Sequence, residues 1–209
     1  MDIAQIRKVL NAALNSVIKA EPQITRYDTI VGDGDCGIGL KRGAEAVLAL
    51  INDTSVDFND DVIHTINRIV TVVENTMDGT SGAIYAIFLN ALLHGLREQD
   101  KGSSTAADID VWGSALKYSI TALGKYTPAQ PGDRTMIDAL VPFAKTLADK
   151  RDVRAAAKAA EEATEATKHM KASLGRTVYV GGESEWVGKI PDPGAYGLME
   201  FFNGLASAL

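Results

Sequence analysis

The chain has a single cysteine, Cys36, which excludes an internal disulfide and a zinc site built from several thiolates. It suits a reducing compartment. No basic run is present: 21 lysines and arginines are scattered against 27 aspartates and glutamates, leaving a formal net charge of -6. That balance offers no positive stripe to phosphodiesters and argues against nucleic acid as the main partner. Long hydrophobic runs are also missing. The most apolar stretch, residues 84–93, contains Asn90 and falls short of a membrane span. The opening MDIAQIRKVL places an acid second and charges among its apolar residues, unlike a signal peptide. A cytoplasmic protein with no membrane span is expected. Strand patterns are nearly absent, since only residues 177–180 read as one, and a lone strand makes no sheet.

Two common phosphate and metal motifs are absent as well. No G-x-x-x-x-G-K-[ST] occurs, which excludes a Walker loop. The acidic segments lack the D-x-D-x-D-G series with a glutamate at the twelfth position that a calcium-binding EF-hand requires.

What the sequence does contain is helical periodicity. At 209 residues with 46% hydrophobic content, the chain can bury one good core, and a single domain over 1–209 is expected. Ile3, Ile6, Leu10, Leu14 and Val17 recur at helical spacing until Pro22, which predicts a first helix over residues 2–20. A second stripe runs through Leu40, Ala44, Val47, Leu48 and Ile51, with Gly37 and Ile38 opening its helix. The third holds Val62, Ile63, Ile66, Ile69, Val70 and Val73, after the turn-rich NDTSVDFNDD. Residues 81–96 are apolar nearly all round, which predicts a central, buried helix with His94 in a hydrogen-bonded core position. Further helices are expected over 106–124, 134–149, 152–172 and 194–208, giving eight and an all-α fold. The alanine-rich RAAAKAAEEATEATKHMKA reads as a solvated helix without chemistry. His64 and His169 read as surface or packing residues.

Chemistry concentrates in DTIVGDGDCGIG, where Asp28, Asp33 and Asp35 surround Gly32, Gly34 and Gly37. Carboxylates crowded on one loop repel one another unless a cation neutralises them. In an extended D-G-D, the two side chains point the same way. A helix opening just after the loop would add free N–H groups and a positive dipole end, suited to phosphate. The residues alone leave two readings open: a metal cradle for a magnesium-bound polyphosphate, or an acidic loop with turn glycines.

Three further segments are ambiguous singly. MDGTSGAIYA places Thr80 and Ser81 at or near a helix N-cap, to serve the helix or a phosphate. PGDRTMIDAL starts the sixth helix, with Asp133 as its cap and Arg134 on the surface as the plainest assignment. GRTVYVGG, followed by DPGA, gives an irregular loop with Arg176 and a proline turn that begins a helix.

As a set and in this order, GDGDCG, GTSGAIY, GDRTMIDAL, GR and DPGA resemble the nucleotide-binding, DhaL-type domain of dihydroxyacetone kinases over nearly the whole chain. The resemblance implies an eight-helix antiparallel barrel with its nucleotide–metal site in loops at one end. It implies that Asp28, Asp33 and Asp35 bind two Mg2+ ions that grip the phosphates of ATP or ADP. It also implies that Cys36, Gly37, Ile38, Gly39, Thr80 and Ser81 contact phosphates and nucleotide. Met136, Arg176, Asp192, Pro193 and Gly194 would line the sugar and adenine pocket.

Phosphoryl transfer to dihydroxyacetone or a related short ketose or triose follows as the expected activity. The acceptor would be held by a separate DhaK-type domain or subunit. Many bacterial members have a histidine at the position of Cys36 and a second glycine at Asp78; GDGDCG and YTPAQPGDRTM look more like the ATP-dependent, fungal-type kinases. A carrier subunit with permanently bound ADP, recharged by a phosphohistidine donor protein, is one alternative. A non-catalytic regulatory module is another, and a lipid inside the barrel is compatible with the apolar fourth helix.

Overall fold

A computed structural model describes residues 3–56, 61–99 and 109–209. Its helices are α1 (Ile3–Val31), α2 (Cys36–Asn52), α3 (Val62–Thr76), α4 (Gly79–Gln99), α5 (Ile109–Leu123), α6 (Ile137–Lys150), α7 (Val153–Ala166), the one-turn α8 (Glu183–Trp186) and α9 (Pro193–Ser207). No strand occurs among the described residues. Of the strand-like residues 177–180, the first three instead form the 3-10 turn Arg176–Tyr179 and Val180 ends it.

The eight long helices close a ring. Each of α1 to α7 packs on its sequence neighbour, α7 packs on α9, and α9 returns to α1. Short connections make neighbours antiparallel, so the α1–α2, α3–α4 and α5–α6 turns and the start of α9 gather at one end. Inside the ring, Leu92, Leu116, Leu140, Phe143 and Phe202 belong to one continuous core. The Phe143 and Phe202 rings stack at 3.7 Å between centroids.

The first helix does not stop at Pro22. It continues to Val31 because Ile24, Asp28 and Val31 extend the buried stripe of Ile6, Val9, Ala13, Leu14 and Val17. Pro22 lies on the exposed side, where water can serve the carbonyl that its missing N–H leaves unpaired. Burial of the later turn against α2 and α9 offsets that loss.

Other boundaries move for local reasons. Residues 106–108 of the expected fifth helix, and residue 2 of the first, lie outside the described residues. α3 starts where the Asp61 carboxylate accepts the N–H groups of Ile63 and His64. The alanine-rich α7 is capped by Asp152 and ends at Ala166; it is only half solvated, because Ala156, Ala157, Ala160 and Thr164 are buried.

The fourth helix is a wall of the ring, not a centre. Gly82, Phe88, Leu92, Leu93, Gly95 and Leu96 face inward, whereas Ala83, Asn90 and His94 are exposed. His94 stacks on Tyr118, with centroids 5.1 Å apart, and is no core residue. By length and composition alone, α4 is apolar enough to cross a membrane, although Asn90 interrupts it. Here it packs on α3 and α5.

The α1–α9 seam is close-packed. A Cβ on Gly204 would lie 2.7 Å from both the Ala12 oxygen and Ala13 Cα, so only glycine permits this approach. Farther along, Ser16 Oγ donates to Glu200 Oε2 at 3.0 Å and Tyr27 meets Tyr196 edge-on. Gly204→Ala is expected to lower unfolding stability by about 1–3 kcal/mol through overpacking, measured by urea denaturation.

Candidate functional site

The site is built where α1 ends and α2 begins. Asp28 lies in the last turn of α1 and is buried, while Asp33 and Asp35 are exposed on the linking loop. One carboxylate oxygen from each lies within 4.8 Å of those of the other two. Gly34 makes the loop possible with a φ of +80°, a left-handed conformation that side chains disfavour. The Cys36 N–H donates to Asp28 Oδ2 at 2.9 Å, tying the buried carboxylate to the first residue of α2.

Charge balance is incomplete. Arg176 Nε reaches Asp33 Oδ2 at 2.8 Å, and this draws the 3-10 turn toward the cluster. Burial and the neighbouring Asp33 and Asp28 charges push the Asp35 carboxyl above its ordinary value, against the opposing pull of Arg176. Burial, with Asp192, Asp28, Asp35 and Asp33 around it, holds the Cys36 thiol far above the usual thiol range. A neutral thiol in that setting is no nucleophile. An oxygen-only set of three carboxylates fits a hard cation such as Mg2+.

Beside the cluster lies a cavity of about 250 Å³, lined by Thr80, Ile84, Thr127, Pro128, Ala129, Thr135, Met136, Ile137, Leu174 and Gly175. Thr80 and Ser81 sit within the first turn of α4, past the expected N-cap, because that helix already begins at Gly79. Met136 immediately precedes α6 and forms part of the wall. Asp78, one residue before α4, meets Arg42 of α2 at 2.8 Å, so its extra negative charge is paired.

The turn before α9 lies behind Met136. Asp192 caps that helix by accepting the Ala195 N–H at 2.8 Å, with Pro193 in the first turn. Gly194 comes close to Met136: a Cβ there would lie 3.5 Å from Met136 Cβ. Asp28, Asp33, Asp35, Cys36 and Arg176 thus form one cluster, and Met136 and Thr80 share the adjoining cavity.

Sequence reasoning missed the support beneath these residues. Arg134 is not on the surface: it is 1% exposed. Its Nη1 donates to the Thr167 carbonyl and its Nη2 to the Ile190 carbonyl, both at 3.0 Å. The guanidinium carbon lies 4.7 Å from the centroid of the Trp186 ring. Asp133 does not cap α6 but accepts from Gln130 N and Ser173 Oγ. Asp138 takes the local N–H groups instead, accepting from Gly132 and Thr135 at 2.6 and 2.7 Å. A tryptophan in a glycine-rich loop was the available signal, because so large a ring needs a buried partner.

The DAK2 domain family pattern matches residues 30–207. The chain belongs to the DAK2 domain family. This DAK2 domain is 41% identical over 206 residues to a dihydroxyacetone kinase of Komagataella pastoris, covering 96% of this chain and 34% of that protein. It is 40% identical over 211 residues to dihydroxyacetone kinase 2 of Saccharomyces cerevisiae, covering 99% and 35%. A triokinase/FMN cyclase of Rattus norvegicus is 30% identical over 213 residues, with coverage of 98% and 35%. The fold superposes on the dihydroxyacetone kinase of C. freundii in complex with AMP-PNP and Mg2+, with a TM-score of 0.75 and 26% identity, over 99% of this chain and 34% of that one. The DAK2 domain spans about a third of the length of these relatives.

Two outcomes follow from the charges. Asp35→Asn should raise the stability of the metal-free protein by about 1 kcal/mol, the water-like limit for two charges some 4 Å apart, read as a higher urea midpoint without Mg2+. For Asp192, burial pushes the carboxyl from 3.8 up to about 7, against the Ala195 N–H and Arg134. The folded protein then holds this proton more tightly than the unfolded chain. Its contribution is fully present below about 3.8 and is lost as pH rises to about 7. Urea melts of the metal-free domain should show that decline, and Asp192→Asn should flatten it.

Proposed function

We propose that this domain is the nucleotide-binding part of a kinase, presenting Mg-ATP for phosphoryl transfer to dihydroxyacetone or a related short ketose or triose. The observation that carries this reading is the placement of three converging carboxylates beside a helix N-terminus and a partly open, largely apolar cavity. The relatives' names and the AMP-PNP and Mg2+ in the C. freundii kinase support it.

Asp28, Asp33 and Asp35 would hold two Mg2+ ions. When bound, these ions neutralise charge on the β- and γ-phosphates as the transferring group separates. In the first turn of α2, across Cys36, Gly37, Ile38 and Gly39, the Gly37 and Ile38 N–H groups would meet phosphate oxygens at the positive end of the helix, while the Cys36 N–H stays on Asp28 Oδ2 and the Gly39 N–H on the Asp35 carbonyl. Thr80 and Ser81 add hydroxyls at the first turn of α4. The walls around Met136, with Arg176 and the turn of Asp192, Pro193 and Gly194, would orient ribose and adenine.

No protein nucleophile is needed. The acceptor hydroxyl oxygen attacks the γ-phosphorus, the bond from that phosphorus to the β–γ bridging oxygen breaks, and ADP leaves with the electron pair. The hydroxyl proton passes to a base outside this chain's cluster, in keeping with an acceptor held by a separate DhaK-type domain or subunit. Positioning and electrostatics supply what this domain contributes. A reducing, cytoplasmic setting agrees with the lone Cys36.

Nucleotide exchange tests the reading. The domain is purified with Mg2+, bound nucleotide is released by denaturation and identified, and the folded protein is titrated with labelled ATP and ADP. Reversible, Mg2+-dependent ATP binding is the expected result. Stoichiometric ADP that resists exchange would favour the carrier subunit served by a phosphohistidine donor, and absence of binding to either nucleotide would overturn the assignment.

A further inference from the structure

The geometry points to Arg134 as a positioning residue for the base and ribose end of the nucleotide, acting by clamping both ends of the excursion between α7 and α9. The inference rests on the nucleotide-binding reading above and adds to it a residue that touches neither metal nor phosphate.

The excursion leaves the ring after Thr167 and returns at Ile190. Arg134 holds the carbonyls of both residues, one on each Nη, at 3.0 Å. Between these points the chain carries Leu174 and Gly175, which wall the cavity, and Arg176, which reaches Asp33. Trp186 from the same excursion lies against the guanidinium. The neck is drawn closed by the Gly188 N–H donating to the Lys168 carbonyl at 2.6 Å. Thr167 also accepts the Asp192 N–H at Oγ1, at 2.8 Å, so the same junction fixes the start of α9.

Arg134 stands on the opposite wall. The next two residues, Thr135 and Met136, line the cavity directly. The Arg134 guanidinium therefore ties the segment that carries Thr135 and Met136 to both ends of the excursion that carries Leu174 and Gly175, and the Ser173–Asp133 hydrogen bond adds a link within it. Its own backbone has a φ of 61°, a left-handed conformation that costs a non-glycine residue energy and persists only where surroundings enforce it. Burial opposes its charge, while Asp192 and Asp138 favour it. Lysine cannot reproduce the arrangement, because one ammonium cannot fork to two carbonyls while a flat face lies on an indole.

If Arg134 sets the spacing of these walls, its loss should weaken ligands that use the cavity and spare those that use only the aspartate cluster. Mg-ATP and Mg-tripolyphosphate separate the two, since tripolyphosphate carries neither base nor ribose. Calorimetric titration of Arg134→Met and Arg134→Lys should show Mg-ATP affinity lower by about 10-fold or more, the scale of losing a supporting layer of contacts, with Mg-tripolyphosphate within about 2-fold of the parent. Trp186→Leu, which leaves both carbonyl bonds in place, should show the same selectivity with a smaller loss, and it carries the test if Arg134→Met does not fold. Equal loss of both ligands would make Arg134 a general stability residue and overturn the inference, as would unchanged Mg-ATP affinity; either leaves the nucleotide-binding reading standing. Failure of the parent protein to bind Mg-ATP would remove that reading and this inference together.

Discussion

The site depends on α9 lying along the later two-thirds of α1, from Ala12 to Tyr27. α1 has 29 residues, about 43 Å at 1.5 Å per residue, and must remain helical beyond Pro22 to deliver Asp28 to the functional end. α9 runs antiparallel to it. The contact of Gly204 with Ala12 and Ala13 lies near the far end, the Ser16–Glu200 hydrogen bond follows, and the Tyr27–Tyr196 contact comes near the cluster. This order fixes the axial register of the two helices. The start of α9 at Asp192 and the end of α1 at Asp28 are thereby brought to the same level. Closing the ring and assembling the site are one event, because the seam that does the first also does the second.

Hydrophobic burial along the ring then supports an arrangement that electrostatics alone would oppose. Asp28 is held in place by the Cys36 N–H and by the packing of its own helix, while Asp33 and Asp35 are brought near by a loop with little freedom. One arginine, Arg176, answers three carboxylates, and it does so from an exposed turn. An exposed ion pair contributes little, so repulsion remains in the metal-free state. Relief of that residual repulsion would give a divalent cation a preference for the folded protein. Burial, with that field added, suppresses thiolate formation at Cys36, so a residue that could attack an electrophile is kept inert beside the aspartates.

Much of this was legible in the sequence, and the failures have specific causes. The stripes of α2, α3 and α5 and the cap of α9 follow from periodicity and from one capping motif. The aspartates of DTIVGDGD were recognisable because crowded carboxylates have few inexpensive explanations. Pro22 misled because a proline's cost depends on which side of the helix it occupies, and that side is set by packing. α4 misled for the opposite reason: small apolar residues such as Ala83 face outward without much penalty, so all-round apolarity did not mean all-round burial. Residues 177–180 have the β-branched composition of a strand, but with no partner strand among the described residues they take a tighter turn. Asp78 illustrates a third limit, since its partner Arg42 lies on another helix and no local pattern links them.

Arg134 shows why a support layer is harder to read than a functional layer. The aspartates announce themselves through mutual proximity along the chain, whereas Arg134 gains its meaning from carbonyls that belong to residues 167 and 190. Backbone carbonyls carry no identity, so neither sequence position contains a signal that an arginine is directed at it. Only the ring's closure brings them within reach. The division of labour has a physical basis as well. Groups that meet a charged ligand must be polar and accessible, and the loops that carry them lack the apolar contacts that make helices rigid. A buried guanidinium can fix two such loops at once, since it forks to two acceptors and presents a flat face to a ring. The ring supplies the rigid frame, and at one end Arg134 transmits that rigidity to both ends of the excursion between α7 and α9, with Ser173 on Asp133 and Arg176 on Asp33 as further ties.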